Sequence, residues 1–297
     1  MMKLISVFMK NFIKTIWHWF EMEGRTHLPW RMTRDPYAIC VSEFMLQQTQ
    51  VERVIPKYHA WLEAFPTWKS LAKASPAQVL RLWSGLGYNS RALRLQKLAI
   101  AVETIHDSKL PQNEEELLAL PGIGPYTAAA IQAFAFEQEL VVIDTNIERI
   151  LLRYFWGLPY LAREKIAEKI NLLLLSSAAK EKKVFSRYFF QALMDFGAKI
   201  CKGKPQCDIC PLQSRCKAYQ TQSFTVKRPK QSHFPHSRRY YRGLVLKLLK
   251  TKAQLTWNEL EAVDIQGHQW ADIIKTLVKD QLVVVSEKEQ SYITLPN

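Results

Sequence analysis

Four cysteines crowd one short segment, Cys201, Cys207, Cys210 and Cys216, in the spacing C-x5-C-x2-C-x5-C. Pro205 and Pro211 shape the intervening loops so that four thiolates can converge on one centre. With no histidine nearby, the set fits either a [4Fe–4S] cluster or a structural zinc. A disulfide framework would spread its cysteines differently. Cys40 stands apart between Ile39 and Val41 and reads as a small buried hydrophobe.

Two acids stand out for a different chemistry. In VSEFMLQQTQV, Glu43 is flanked by Val41, Phe44, Met45 and Leu46, where burial would raise its pKa and keep it protonated for acid catalysis. In LVVIDTNIERILLR, Asp144 follows an apolar run and precedes a helix, so it is a natural N-cap whose carboxylate could also do chemistry. Between them LPGIGPYTAAAI places Gly122 and Gly124 in a tight turn ahead of a small-residue helix, with N–H groups suited to a phosphate oxygen. Alone, such a turn is also a plain helix connection.

The elements that must position these groups are helical from Phe12 to Asp195. Segments such as EELLAL, TAAAIQAFAF and REKIAEKINLLLLSSAA repeat apolar residues at three- and four-residue intervals. Breaks fall at Leu28-Pro29, Phe65-Pro66, Ser75-Pro76, Leu110-Pro111 and Pro121-Gly122. Thr221 to Ser237 is polar and basic, contains Pro229 and Pro235, and reads as a linker. A second domain follows: helices over Arg239–Lys250, Trp257–Val263 and Trp270–Asp280, then β-rich runs Leu282–Ser286 and Tyr292–Leu295 joined by the charged turn Glu287–Gln290. In the third helix Trp270, Ile273, Ile274, Leu277 and Val278 are expected on one face. Three helices and a hairpin make a winged-helix pattern.

The 297 residues, 48% hydrophobic and 23% charged, allow a proper core. A formal net charge of +14 calls for a polyanion: nucleic acid, an anionic membrane or an acidic protein. The opening, Met1 to Phe20, keeps amphipathic spacing through Lys10 and reads as a docked helix, not a signal. No stretch approaches the roughly 18 apolar residues of a membrane span, so a soluble, cytoplasmic protein is expected.

Taken in order, HLPWR (His27–Arg31), SEFMLQQTQV (Ser42–Val51), GLGYNSRA (Gly85–Ala92), LPGIGPYTAAAI, IDTN (Ile143–Asn146) and the four cysteines resemble the helix-hairpin-helix DNA glycosylases that carry an iron–sulfur cluster. Within them the resemblance is to the A/G-specific adenine glycosylases of MutY type, over roughly Asn11 to Cys216. It implies a mainly α fold with a six-helix barrel over 30–139 and a [4Fe–4S] domain over 1–29 and 140–220. A linker over 221–237 and a winged-helix-like α+β domain over 238–297 complete the chain.

The resemblance also implies roles. Glu43 matches the acid that protonates adenine at N7, and Asp144 the carboxylate that stabilises an oxocarbenium-like sugar. Asn146 and Tyr126 match residues that assist at that sugar. Trp30, Arg31, Leu46 and Gln191 match the pocket of a flipped adenine. Gln48 and Tyr88 match wedge residues that enter the duplex, and Gly122 and Gly124 the phosphate-binding hairpin. The four cysteines match the cluster ligands. The implied partner is double-stranded DNA with an adenine mispaired with 8-oxoguanine or guanine, met by a monomer. Strand-nicking relatives carry a nucleophilic lysine where Tyr126 stands, so a monofunctional enzyme is expected.

The chain departs from the pattern in three places. The first cysteine gap is x5 where x6 is usual, and IDTN stands where many adenine glycosylases have DGN. The residues after Ser237 are too few and too helical for the Nudix-like domain of long members and resemble the tail of shorter ones. Two other readings compete. A thymine or uracil mismatch glycosylase keeps the enzyme and changes the base. A non-enzymatic regulator, joining a redox-sensing cluster to a winged helix, leaves Glu43, Asp144 and the glycine turn without purpose.

Overall fold

The computed structural model describes residues 2–157, 165–168, 170–171, 185–225, 233–286 and 291–296. In chain order the helices are α1 (Met2–Glu23), α2 (Pro36–Leu46), α3 (Val51–Ala64), α4 (Trp68–Lys73), α5 (Pro76–Trp83), α6 (Ser90–Ile105), α7 (Glu114–Ala119), α8 (Pro125–Phe134), α9 (Thr145–Leu151), α10 (Phe185–Lys199), α11 (Lys217–Gln220), α12 (Arg238–Thr251), α13 (Trp257–Glu261) and α14 (Trp270–Lys279). A π-helical turn at Leu152–Trp156 continues α9. No strand precedes Leu255 among the described residues, as the apolar spacing implies. Of the helical run expected over 163–179, only 165–168 and 170–171 are described, and they are helical. Among the described residues no helix is long and apolar enough to cross a membrane.

Proline and hydroxyl residues set the helix starts. Thr67 and Ser75 each form a reciprocal capping box, with Ser70 and Gln78, so the breaks at Pro66 and Pro76 become tight helix–helix corners. The Asp35 carboxylate accepts from Tyr37 N (3.1 Å) and Ala38 N (3.2 Å) and begins α2, the helix of Glu43.

Two units divide the chain. The first comprises Met1–Ile39, Gln112–Leu118 and Ile123–Pro229. Its core is aromatic: Phe12 and Trp19 of α1 meet Phe189 and Phe196 of α10, Trp19 standing edge-on to Phe196 with centroids 5.0 Å apart. Helix α9 packs on α10 at Gly197, where an added Cβ would lie 2.6 Å from Asn146 Cβ. Only glycine permits that approach.

The second unit comprises Cys40–Pro111, Ala119–Gly122 and Lys230–Asn297. Trp61 of α3 and Trp83 of α5 are fully buried and edge-on, with centroids 5.4 Å apart. Its tail holds α12, β1 (Leu255–Thr256), α13, α14, β2 (Val284–Ser286) and β3 (Tyr292–Thr294). The strands form an antiparallel sheet in the order β1-β3-β2, with Ile293 opposite both Leu255 and Val285. The expected three helices and hairpin are present, but β1 is additional. Two residues are too few to show alternation in a sequence. The turn expected at Glu287–Gln290 lies outside the described residues. Val278 also differs from expectation: it is 42% exposed, at the edge of the apolar stripe that buries Trp270, Ile273, Ile274 and Leu277.

The glycine turn after α7 divides its two glycines sharply. Gly122 has φ +80°, and an added Cβ would lie 3.1 Å from Phe44 and from Arg94. Gly124 is instead the extended N-cap of α8 (φ −106°), with open space where its Cβ would point. The sequence expectation that both glycines serve the turn therefore holds conformationally for Gly122 alone. Gly122→Ala should cost about 1–3 kcal/mol in chemical or thermal unfolding. Gly124→Ala should cost no more than about 1 kcal/mol. Equal costs would contradict this division.

Candidate active site and cysteine loop

In the first unit Asp144 is the N-cap of α9. Its Oδ1 accepts from Asn146 N (2.8 Å) and Ile147 N (2.7 Å), and Oδ2 accepts from Asn146 Nδ2 (2.8 Å). Burial pushes its pKa up, against these hydrogen bonds and the charge of Arg149, which favour the carboxylate. Asn146 Oδ1 accepts from Arg149 Nη2 (2.9 Å), which also donates to Gly197 O (2.8 Å), while Arg149 Nε donates to Cys201 O (2.7 Å). An unbroken hydrogen-bonded chain thus runs from the Asp144 carboxylate to the first cysteine of the loop.

One turn on, Arg153 grips the same loop. It donates to Lys202 O (2.5 Å), Gly203 O (2.8 Å) and Phe224 O (2.6 Å), and its Nη1 lies 3.5 Å from Cys201 Sγ. The short x5 loop is therefore closed by arginine rather than by chain length. Among the described residues no three His, Cys, Asp or Glu side chains stand so that they could hold a metal ion as they are. The donor set nevertheless suits an iron–sulfur cluster. Burial pushes the Cys210 thiol up to about 12, and charge on Cys201, Cys216 and Cys207 adds to it. Backbone N–H groups of Leu212, and of Tyr219 and Ala218, donate to Cys210 and Cys216 and oppose that rise. Mutually repelling thiols met by N–H donors are the surroundings that metal-bound thiolates use.

The remaining first-unit residues surround Asp195, which is fully buried on α10. Arg31 donates to Asp195 Oδ2 (2.6 Å) and Oδ1 (2.9 Å) in a bidentate pair, and Arg25 adds its backbone N–H and Nε at 2.8 and 2.7 Å. Burial alone would raise the Asp195 pKa, but Arg31 and then Arg25 outweigh it and hold it below the usual range. Arg31, expected at a base pocket, thus has its fork turned to Asp195. Trp30 beside it is buried, as is Gln191 one turn before Asp195. Arg187 donates to Arg31 O (3.0 Å) and Thr33 O (2.7 Å) and holds this segment from α10. Tyr126 is half-buried in the first turn of α8.

In the second unit Glu43 is 7% exposed on α2, among Val41, Phe44 and Met45 at zero exposure. Leu46 is half-buried, Gln48 exposed and Tyr88 42% exposed. Gln48 (φ +56°) and Tyr88 (φ +45°) share a left-handed backbone. The expected site residues therefore fall in two sets. Glu43, Leu46, Gln48, Tyr88 and Gly122 belong to one unit, and Asp144, Asn146, Tyr126, Trp30, Arg31, Gln191, Gly124 and the cysteines to the other. Sequence reasoning missed Arg91, Arg149, Arg153 and Asp195. The signal available was charge at buried helical spacing, as in Arg149 and Arg153 of IERILLR.

Residues 41–174 match the family model described as HhH-GPD superfamily base excision DNA repair protein. An adenine DNA glycosylase of Mycolicibacterium smegmatis is 39% identical over 248 residues, covering 80% of this chain and 82% of that protein. The chain belongs to the adenine DNA glycosylase family. Another member, from Buchnera aphidicola subsp. Baizongia pistaciae, is 40% identical over 209 residues, 70% of this chain, and the match takes in 58% of its own length. Against the adenine DNA glycosylase of Rattus norvegicus, 38% identical, the chain spans 42% of the relative. Among solved structures a thermostable thymine-DNA glycosylase superposes with a TM-score of 0.65 at 30% identity, covering 71% of this chain and 96% of that one. An endonuclease III–DNA complex gives 0.63 at 19% identity, with 73% and 97% covered, and supports the fold.

For this family member the Asp195 cluster makes a stability prediction with a sign. A carboxylate whose folded pKa lies below its unfolded value contributes stability above the unfolded value and loses it as pH falls through the folded one. Asp195→Asn should destabilise the protein at pH 7 by about 2–4 kcal/mol, because the nearly buried Arg31 and the partly exposed Arg25 lose their counter-charge. Below the ordinary carboxylate range the gap between variant and wild type should close. A gap that persists unchanged to low pH would refute the charge assignment.

Proposed function

We propose that the protein removes adenine mispaired with 8-oxoguanine or guanine from double-stranded DNA, hydrolysing the N-glycosidic bond without cutting the strand. The higher identity to adenine DNA glycosylases than to the thymine-DNA glycosylase is the observation that carries this reading. Buried Glu43 donates its proton to adenine N7 as the C1′–N9 bond breaks, and the base leaves with the electron pair. Asp144, oriented by the α9 amides and Asn146, stabilises the cationic sugar as a fixed carboxylate. Water adds to C1′ and returns a proton to Glu43. Tyr126 offers no amine, so no Schiff base forms with the sugar and the strand stays intact.

The adenine is received out of the stack by Trp30, Leu46 and Gln191, with Arg31 bracing that wall through Asp195. Gln48 and Tyr88 fill the space it leaves in the duplex. Gly122 turns the hairpin, and the open space at Gly124 lets a phosphate approach the α8 N-terminus. Cys201, Cys207, Cys210 and Cys216 would hold a [4Fe–4S] cluster, which would crosslink the loop gripped by Arg149 and Arg153.

Duplexes with A opposite 8-oxoguanine, A opposite guanine and T opposite guanine, treated with alkali after incubation, test the substrate. Alkali-labile product is expected from both adenine duplexes, and little without alkali. Product from T opposite guanine alone would overturn the adenine assignment, and none from any duplex would overturn the enzyme. Aerobically purified protein should contain about four iron atoms per chain with visible absorption. Stoichiometric zinc without iron would contradict the cluster.

A further inference from the structure

Arg91 opens α6 with its side chain turned inward to 4% exposure, and its charge meets carbonyl oxygens in place of a carboxylate. Nη1 donates to Phe44 O (2.7 Å), Met45 O (3.0 Å) and Gln47 O (2.6 Å). Nη2 donates to Thr49 Oγ1 (3.0 Å), Leu86 O (3.2 Å) and Gly87 O (3.0 Å). The guanidinium carbon also lies 5.2 Å from the Trp83 ring centroid and 5.7 Å from that of Tyr88. Burial pulls its pKa down to about 10, which leaves it a cation at neutral pH.

These acceptors belong to two loops and one helix end. Phe44 O and Met45 O lie in the last turn of α2, where carbonyls lack helical partners and a cation is favoured. Gln47 and Thr49 flank Gln48, and Gly87 precedes Tyr88. Gln48 and Tyr88 both hold left-handed backbones, a conformation costing about 1–3 kcal/mol that persists only where surroundings over-determine it. Thr49 Oγ1 closes the bracket directly, 3.3 Å from Leu86 O. Gln48 is exposed, and Tyr88 is 42% exposed with its hydroxyl 3.4 Å from Arg239 Nη1.

We infer that Arg91 is a positioning residue that couples the Gln48 and Tyr88 loops to each other and to the end of the Glu43 helix. The two exposed side chains then enter DNA as one wedge, and the same cation sets the height of the acid's helix. The DNA step of this inference rests on the proposed glycosylase reading; the coupling of the loops does not. Lysine cannot substitute, because one ammonium presents its donors from a single point and cannot span both loops, whereas the planar fork can.

Arg91→Lys and Arg91→Ala test the coupling, with a duplex carrying 2-aminopurine opposite guanine as the probe of unstacking. Both variants should bind undamaged duplex like wild type but lose the fluorescence rise, and adenine release should fall by about 100-fold. Methylguanidinium added to Arg91→Ala should restore part of both signals. A folded Arg91→Lys with wild-type fluorescence and rate would overturn the inference. Hydrogen exchange on the wild-type protein needs neither variant, DNA nor turnover. Peptides covering 46–50 and 85–89 should open as one cooperative unit with one free energy. Separate opening of the two loops would overturn the coupling even if adenine release is confirmed. Joint opening in a protein that releases no adenine would sustain the coupling while the glycosylase reading fails.

Discussion

The setting of Asp144 depends on how closely α9 can approach α10. Gly197 lets Asn146 come within a distance that no side chain would allow. That contact fixes the first turn of α9, and the first turn fixes Asp144 through two amides and one side-chain amide. The carboxylate is thus held by the backbone it begins. Its orientation is set by hydrogen bonds from the first turn of the helix it begins, which is the kind of preorganisation an electrostatic role needs. Burial opposes its ionisation, and the hydrogen bonds that orient it work against that penalty.

Arginine does much of the internal fastening. Arg91, Arg149, Arg153 and Arg187 are all buried, and each donates to backbone carbonyls of segments far away in sequence. A guanidinium can tie several irregular carbonyls at once, which suits loops that have no ladder to satisfy them. Part of the net positive charge therefore never faces a partner. What remains to meet a polyanion includes Arg238, exposed at the basic entry to the tail, whereas Arg242 there is paired with Asp280.

Much of this was legible in the residues. Apolar spacing and proline positions located the helices because both act locally. Asp144 could be read as a cap for the same reason, and Glu43 as buried from its neighbours. The unread parts were long-range. Nothing local marks Asp195 as the partner of Arg25 and Arg31, or Arg91 as the tie between two loops, since these depend on segments brought together by the fold. Gly122 and Gly124 looked alike in sequence and differ because Phe44 and Arg94 crowd one of them. Strand β1 escaped notice because two residues carry no period.

If Glu43 is the acid of adenine removal, a single substitution reveals it. With the duplex bearing A opposite 8-oxoguanine, Glu43→Gln should lower single-turnover adenine release by about 10²–10⁴-fold. Its affinity for the same duplex should stay near that of wild type, since the amide keeps the volume but cannot give up a proton. Turnover retained at the wild-type rate by a folded, DNA-binding Glu43→Gln would rule out Glu43 as the acid.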